Sequence, residues 1–218
     1  MTKNQLIETT IAFVKQELHD AEGGHDWFHT QRVYNNAKLI SKSEDVDLTV
    51  VSLAALLHDI ADSKFHNGDE TIGPRKASEF LLKQNVDSII IEHVTNIIEH
   101  MSFKNSFDLN TSFTSKEMEV VQDADRLDAI GAIGIARCFN YGGFKNRALY
   151  HPDIAPNLNM TKEEYKSAKA PTINHFYEKL LMLKDQMNTK TGKRIAASRH
   201  KYMEGFLDQF YAEWNGEK

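Results

Sequence analysis

Apolar positions recur along the chain at the three- and four-residue spacing of amphipathic helices. Ile7, Ile11, Val14 and Leu18 form one such stripe, which predicts a first helix packed inward through that face. The same spacing predicts further helices over residues 27–41, 47–64, 75–84, 86–100 and 116–139, with two or three more over 162–214. No alternation of apolar and polar positions is long enough to predict a strand. The pattern therefore predicts an all-α protein.

The helical pattern is interrupted late in the chain. Pro152 and Pro156 fall within residues 145–159, a segment that we interpret as a long loop or lid. No stretch rich in proline, glycine or serine separates the preceding helices from one another. We therefore predict a single domain over residues 1–218, with a core over about 1–142 and the lid-like loop and additional C-terminal helices over about 143–218.

Composition narrows the class of protein. The 218 residues are 41% hydrophobic and 26% charged, which is typical of a folded globular chain rather than a disordered one. A formal net charge of -5 makes a nucleic-acid partner unfavourable. The only cysteine, Cys138, cannot form an internal disulfide, and no segment resembles a signal peptide or a membrane span. We expect a cytoplasmic protein without a membrane partner.

The most informative stretch ends the third predicted helix. An uninterrupted apolar run, Leu53 to Leu57, leads directly into His58 and Asp59. A helix with such a run is buried, and it carries an imidazole and a carboxylate towards the interior. A buried charge is costly unless it is paired or binds a metal ion, so this pair predicts either a strong polar partner or a metal site.

Two other segments offer suitable partners. His29 shares an inward stripe with Val33 and Ile40, and His25, four residues before it, makes a second imidazole at helical spacing. In the segment QDADRLDAIG, helical geometry groups Asp125 with Asp128 on the more apolar stripe, whereas Asp123 falls with charged residues. We therefore predict Asp125 as the buried ligand and Asp128 as the group that orients it.

The chemistry of these donors restricts the metal. Two imidazoles and two carboxylates suit a divalent transition metal that accepts mixed nitrogen and oxygen ligands. Mn²⁺ is favoured here, Fe²⁺, Co²⁺, Ni²⁺ and Zn²⁺ are alternatives, and Mg²⁺ fits less well. Such an ion lowers the pKa of a bound water and polarises a phosphoryl oxygen.

These residues also resemble a known family. His29, the pair His58-Asp59 and Asp125 resemble the H…HD…D ligand set of the HD-domain metal-dependent phosphohydrolases. The likeness covers most of the chain. Five segments together resemble the YpgQ-like bacterial branch: HDWFHTQRV, LLHDIADSK, IIEHMSFK, QDADRLDAIGAIGIAR and KLLMLKDQMNTKTGKRIAASRH. The resemblance implies an HD-domain helical bundle with one metal ion held by His29, His58, Asp59 and Asp125.

The resemblance assigns further roles. Asp62 stands where nucleotide-hydrolysing relatives carry an acidic residue, more often glutamate, that orients the attacking water or moves its proton. His100 resembles a later histidine that lies near the phosphate in many members. Phosphoryl transfer also needs cations; Lys64 beside Asp62, then Lys104, Arg126 and Arg194, are the candidates.

The implied activity is hydrolysis of a nucleotide or other phosphate ester by a metal-activated water. Cleavage of a (deoxy)nucleoside triphosphate to monophosphate and pyrophosphate, or a nucleotidase reaction on a monophosphate, fits the residues equally, and the number of cations favours the triphosphate. A cyclic-nucleotide phosphodiesterase is an alternative if two metals bind, since His93 precedes His100 by seven residues. A metal-stabilised sensor or interaction module without turnover is the alternative from another class.

Overall fold

The computed structural model describes residues 1–19, 21, 24–61, 69, 71–101, 113–160 and 170–218. Within these ranges the chain is helical and contains no strand, which confirms the all-α prediction. The helices are α1 (Lys3–Glu17), α2 (Trp27–Ser41), α3 (Leu48–Leu57), α4 (Ile72–Lys83), α5 (Ser88–His100), α6 (Lys116–Asp128), α7 (Gly131–Phe144), α8 (Asn174–Glu178), a 3₁₀ helix (Leu180–Gln186) and α9 (Lys190–Trp214). None of the helices in these ranges is both long enough and apolar enough to cross a bilayer.

The chain forms two compact units, Met1–Asp125 and Arg126–Lys218. In the first unit α3 is the central helix, because it packs against α1, α2 and α5, while α4 packs on α5. Every residue of α3 from Thr49 to Leu57 is buried, and Leu53 to Leu57 have no exposed surface. The apolar run therefore has the buried position that its composition predicts.

Side chains fix where the helices of the first unit begin. Asp26 precedes α2 and its carboxylate accepts the His29 backbone N–H at 2.9 Å. Asp47 does the same for α3, accepting the Thr49 N–H at 2.7 Å and the Val50 N–H at 3.4 Å. Each cap satisfies helix N–H groups that have no partner within the helix. The capping residues thus determine where α2 and α3 begin. They also determine which side of each helix the following residues occupy.

Two predicted helix boundaries are wrong. The third helix was expected to continue to residue 64, but its regular turns end at Leu57, with His58 as the capping residue in helical conformation. The predicted helix over 116–139 is two helices, because the chain turns between Asp128 and Gly131. Gly131 has a φ of 76° there, a conformation that glycine adopts without steric cost.

The second unit is built around α7 and α9, with the 3₁₀ helix packed against both α8 and α9. Phe176 stacks on Phe206 with ring centroids 5.8 Å apart, and Phe139 contacts both rings. Residues 145–160 carry no helix, in agreement with the expected loop. A lid function for this loop, and the single-domain organisation over residues 1–218, stay predictions.

Candidate metal centre

The C-terminal end of α3 presents the His58 imidazole with one nitrogen already bonded. His58 Nδ1 donates to the Ala55 carbonyl at 2.9 Å, so the proton of a neutral ring resides on Nδ1 and Nε2 carries the lone pair. Nε2 is buried and has no hydrogen-bond partner among the described residues. Leaving a buried polar atom without a partner costs about 1–3 kcal/mol. The arrangement is the one expected of a metal ligand.

His29 lies in the first turn of α2 and is only 3% exposed. Its Nε2 is 3.6 Å from the Asp125 carboxylate and 3.9 Å from the Asp59 carboxylate. The rings of His29 and His58 meet edge to face, with centroids 5.4 Å apart. The cap at Asp26 fixes the helix turn that carries this imidazole, so its direction is determined by the local sequence.

Helix α6 brings Asp125 to the two imidazoles. The Asn36 side chain of α2 donates to the Ala124 carbonyl at 3.2 Å, and the Asp47 backbone N–H donates to Glu117 at 2.9 Å. These hydrogen bonds hold α6 against the second half of α2 and against the start of α3. Asn36 was not among the predicted site residues, although it follows His29 by two helical turns; that spacing was the available signal.

The predicted burial is wrong for two of the three carboxylates on α6, Asp123 and Asp125, and right for Asp128. Asp123 is fully buried and Asp128 is 1% exposed, whereas the Asp125 side chain is 45% exposed. Val120, Val121, Ala124 and Leu127 form the buried face of α6, and Asp125 lies at its edge. The Asp128 carboxylate is bonded to Arg137, and its role in orienting Asp125 stays a prediction. Asp125 nevertheless approaches the imidazoles because it is at this edge.

The ligand atoms of His29, His58 and Asp125 all lie within 4.8 Å of one another. Donors bound to one ion through bonds of about 2.1 Å are at most about 4.2 Å apart, so a small contraction would complete the site. Two imidazole nitrogens and a carboxylate oxygen suit Mn²⁺, Fe²⁺, Co²⁺, Ni²⁺ or Zn²⁺ better than Ca²⁺ or Mg²⁺. The residues present therefore fit the divalent metal expected from the sequence.

Asp59 lies beside this cluster and is held by a different histidine. Its Oδ2 is 2.6 Å from His25 Nδ1. Burial raises the pKa of the Asp59 carboxyl, but the hydrogen bond from His25 and the electrostatic influence of the His58, His25 and His29 rings lower it by more. The net result is a pKa well below the ordinary value of an aspartate, so Asp59 is ionised and suited to an electropositive partner.

His25 does not pair with His29 along a helix. It precedes the first residue of α2, and the cluster of candidate ligands contains His29, His58 and Asp125 without it. The sequence signal for an imidazole pair at helical spacing was therefore misleading, because periodicity alone does not show where a helix begins.

The structure describes only some of the remaining predicted site residues. Asp62, Lys64 and Lys104 lie outside the described residues. His100 is partly buried, with Nδ1 bonded to the Asn96 carbonyl at 2.9 Å. In the second unit Arg126 donates to the Gln186 carbonyl at 2.6 Å, and Arg194 is exposed on α9. Roles in substrate binding for these side chains stay predictions.

Comparison with known proteins adds independent information. Residues 27–130 match the HD domain family, and this range includes all four predicted ligands. The uncharacterized protein YpgQ of Bacillus subtilis (strain 168) is 38% identical over 213 residues, covering 96% of this chain and 94% of that protein.

Solved structures of similar proteins match almost the whole length of this chain. An HD-superfamily hydrolase from Bacillus thuringiensis has 45% identity and a TM-score of 0.79, covering 98% of this chain and 99% of that one. The crystal structure of Bacillus subtilis YpgQ in complex with ADP has 33% identity and a TM-score of 0.77, covering 98% of this chain and 97% of that one.

Proposed function

Because the chain belongs to the HD domain family of metal-dependent phosphohydrolases, we propose that it hydrolyses the phosphate chain of a nucleotide. The observation that carries this proposal is the buried Nε2 of His58, which has no partner among the described residues and lies in the cluster with His29 and Asp125. The ADP bound to YpgQ supports a nucleotide as the class of substrate.

In the proposed reaction His29, His58, Asp59 and Asp125 hold one divalent ion, with Mn²⁺ favoured. The ion supplies two things when bound: it lowers the pKa of a coordinated water and polarises a phosphoryl oxygen. The protein keeps the ligand atoms available. The Ala55 carbonyl fixes the tautomer of His58, and the low pKa of Asp59 keeps its carboxylate charged. Fixed, correctly protonated ligands do not have to reorganise during the reaction.

Substrate positioning and proton transfer are assigned to the other predicted residues. Asp62 orients the attacking water or accepts its proton, and Lys64 acts beside it. Lys104, Arg126, Arg194 and His100 neutralise and position the phosphate chain. We favour cleavage of a (deoxy)nucleoside triphosphate to monophosphate and pyrophosphate, since this number of cations suits a long phosphate chain. The free thiol of Cys138 supports our proposal that the enzyme works in the reducing cytoplasm.

The test is a panel of nucleoside mono-, di- and triphosphates, with phosphate and pyrophosphate measured separately. The protein is first stripped of metal with a chelator and then assayed with Mn²⁺, Co²⁺, Ni²⁺, Zn²⁺ or Mg²⁺. We expect pyrophosphate from triphosphates, with the highest rate in Mn²⁺. Phosphate released only from monophosphates would replace the triphosphate proposal with a nucleotidase, and no hydrolysis of any substrate with any metal would overturn the proposed function.

Asp62→Asn separates turnover from metal binding. We expect it to retain the metal affinity of the wild type and to lose at least about 100-fold in kcat, the size of effect typical of losing a general acid–base group. Asp45→Asn is the matched control, because the Asp45 side chain is 99% exposed. An Asp62→Asn enzyme with unchanged kcat would remove the assigned role of Asp62.

A further inference from the structure

A short hydrogen bond, 2.6 Å between His25 Nδ1 and Asp59 Oδ2, joins His25 to a predicted metal ligand. It joins two parts of the chain 34 residues apart, and it brings the residue before the Asp26 cap onto the residue after His58. A carboxylate that binds a metal ion is deprotonated, and a deprotonated carboxylate only accepts hydrogen bonds. His25 must therefore be the donor, through Nδ1.

This contact uses the Asp59 oxygen that is also nearest to His29. Asp59 Oδ2 is 2.6 Å from His25 Nδ1 and 3.9 Å from His29 Nε2. The bond restricts rotation of the carboxylate about its last torsion, which is otherwise broad. Both carboxylate oxygens carry lone pairs, so a bond from one side leaves Asp59 free to bind a cation from the other side.

The position of His25 explains why the bond can form. His25 lies just outside α2, because the Asp26 cap begins the helix at Trp27. Residues outside the helix are not directed by its periodicity, so the imidazole can reach across to Asp59 while His29 points to Asp125. The centroids of the two histidine rings are 6.0 Å apart and their planes are steeply inclined, consistent with different targets.

We propose that His25 is a positioning residue for Asp59: its Nδ1–H holds the carboxylate in the orientation that binds the divalent metal. The segment HDWFH then has three separate roles within five residues, namely carboxylate holder at His25, helix cap at Asp26 and metal ligand at His29. The inference rests on the metal centre of the proposed function, but it does not depend on the substrate or the bond cleaved.

The test is the affinity for Mn²⁺, measured by competition with a fluorescent chelator, for wild type, His25→Asn, His25→Gln and His25→Ala. Asparagine places an N–H donor close to the position of Nδ1, whereas glutamine places its donor near that of Nε2. We expect His25→Asn to bind within about 3-fold of wild type and the other two to lose about 10- to 100-fold, the usual cost of removing a group that orients a ligand.

His151→Gln is the control, because His151 is exposed and belongs to the second unit; its affinity should equal that of wild type. Thermal unfolding of each variant in chelator confirms that the metal-free fold is unchanged. If His25→Ala does not fold, His25→Asn and His25→Gln alone give the decisive comparison.

The outcomes separate the two proposals. Equal affinity in all three His25 variants overturns the positioning role and leaves the metal centre intact. Loss in His25→Asn as large as in His25→Ala also overturns it, because His25 would then act as a ligand that asparagine cannot replace. If the wild type itself binds no Mn²⁺ or other divalent transition metal, the metal centre of the proposed function fails, and the role of His25 fails with it.

Discussion

Asp125 and Asp128 lie three residues apart on α6 and have opposite environments. The Asp125 side chain is 45% exposed beside His29, whereas Asp128 is buried and bonded to Arg137. Exposed carboxylates contribute little to stability, but removing one partner of a buried ion pair leaves an uncompensated charge. The two residues should therefore differ in what their loss affects.

We expect Asp125→Ala to weaken Mn²⁺ binding at least about 10-fold while changing the free energy of unfolding, measured in chelator, by about 0.5 kcal/mol or less. We expect Asp128→Ala to cost about 3 kcal/mol of that free energy. For both variants, urea unfolding measures the free energy of unfolding and chelator competition measures the affinity for Mn²⁺. A large loss of metal affinity in a stably folded Asp128→Ala, with none in Asp125→Ala, would contradict this expectation and support the orienting role predicted for Asp128.

His175 is a second residue whose environment has a measurable consequence. Burial lowers its pKa to about 4, and the positive charges of Lys179 and Arg147 act in the same direction. The native ring stays neutral at a pH where an unfolded histidine, with a pKa of about 6.5, takes up a proton. The unfolded state therefore binds more protons between pH 6.5 and 4, and stability falls as the pH falls through this window.

Over that window the contribution of His175 is at most about 3 kcal/mol. We expect the loss of unfolding free energy between pH 7.5 and pH 4.5 to be smaller by about 2 kcal/mol in His175→Gln than in wild type. His151→Gln, which replaces an exposed imidazole, should keep the wild-type pH dependence. Parallel pH profiles for wild type and His175→Gln would show that the native ring takes up its proton normally.

At the scale of the helix, the separation of α6 from α7 depends on two glycines. Gly131 adopts a φ of 76°, and a Cβ added to Gly134 would lie 2.2 Å from the Ala129 carbonyl oxygen. That contact is with backbone, so it cannot be relieved by moving a flexible side chain. The turn that ends α6 after Asp128 therefore requires glycine at both positions.

We expect Gly134→Ala to destabilise the fold by about 2 kcal/mol, because the chain must shift to accept the methyl group. Gly205→Ala is the matched control. It also replaces a helical glycine, but nothing lies within 4 Å of the added Cβ, so the change should stabilise the fold by about 0.5–1 kcal/mol. Urea denaturation measures both. A stabilising Gly134→Ala would show that the chain does not turn as described.

These helices show which features the sequence could predict. The run from Leu53 to Leu57 was recognised because a fully apolar helix has to be buried. The helix break was missed because apolar periodicity does not encode the positive φ of Gly131. The burial of Asp123 and Asp125 was predicted wrongly for a different reason. The inward face of α6 was assigned from only a few apolar positions.

At the scale of the whole molecule, the predicted metal ligands all belong to the first unit, Met1–Asp125. Among the comparisons, the HD domain match ends at residue 130, whereas the Bacillus thuringiensis structure matches 98% of the chain. The motif that identifies the family therefore occupies the first unit and the first residues of the second. The likeness of the remainder to this HD-superfamily hydrolase could be predicted only through the resemblance, since its helices carry no comparable cluster of chemical groups among the described residues.

Metal binding should stabilise the folded protein, because the ligands come from α2, from the end of α3 and from α6 and are brought together only by folding. At a free Mn²⁺ concentration of 100 times Kd, the free energy of unfolding should rise by about 2.7 kcal/mol. Urea unfolding with and without chelator measures this difference. A metal that binds without changing the unfolding free energy would bind equally to the unfolded chain, and the folded cluster would not be its site.

The most direct test of the central claim is the metal content and triphosphate hydrolysis of His58→Ala, measured on the same preparation as wild type. His58 supplies a buried nitrogen that has no hydrogen-bond partner among the residues described, so removing it should leave the metal-free fold intact. We predict that wild type holds one divalent ion per chain and releases pyrophosphate, and that the variant loses both. Full metal content and full activity in His58→Ala would contradict the account.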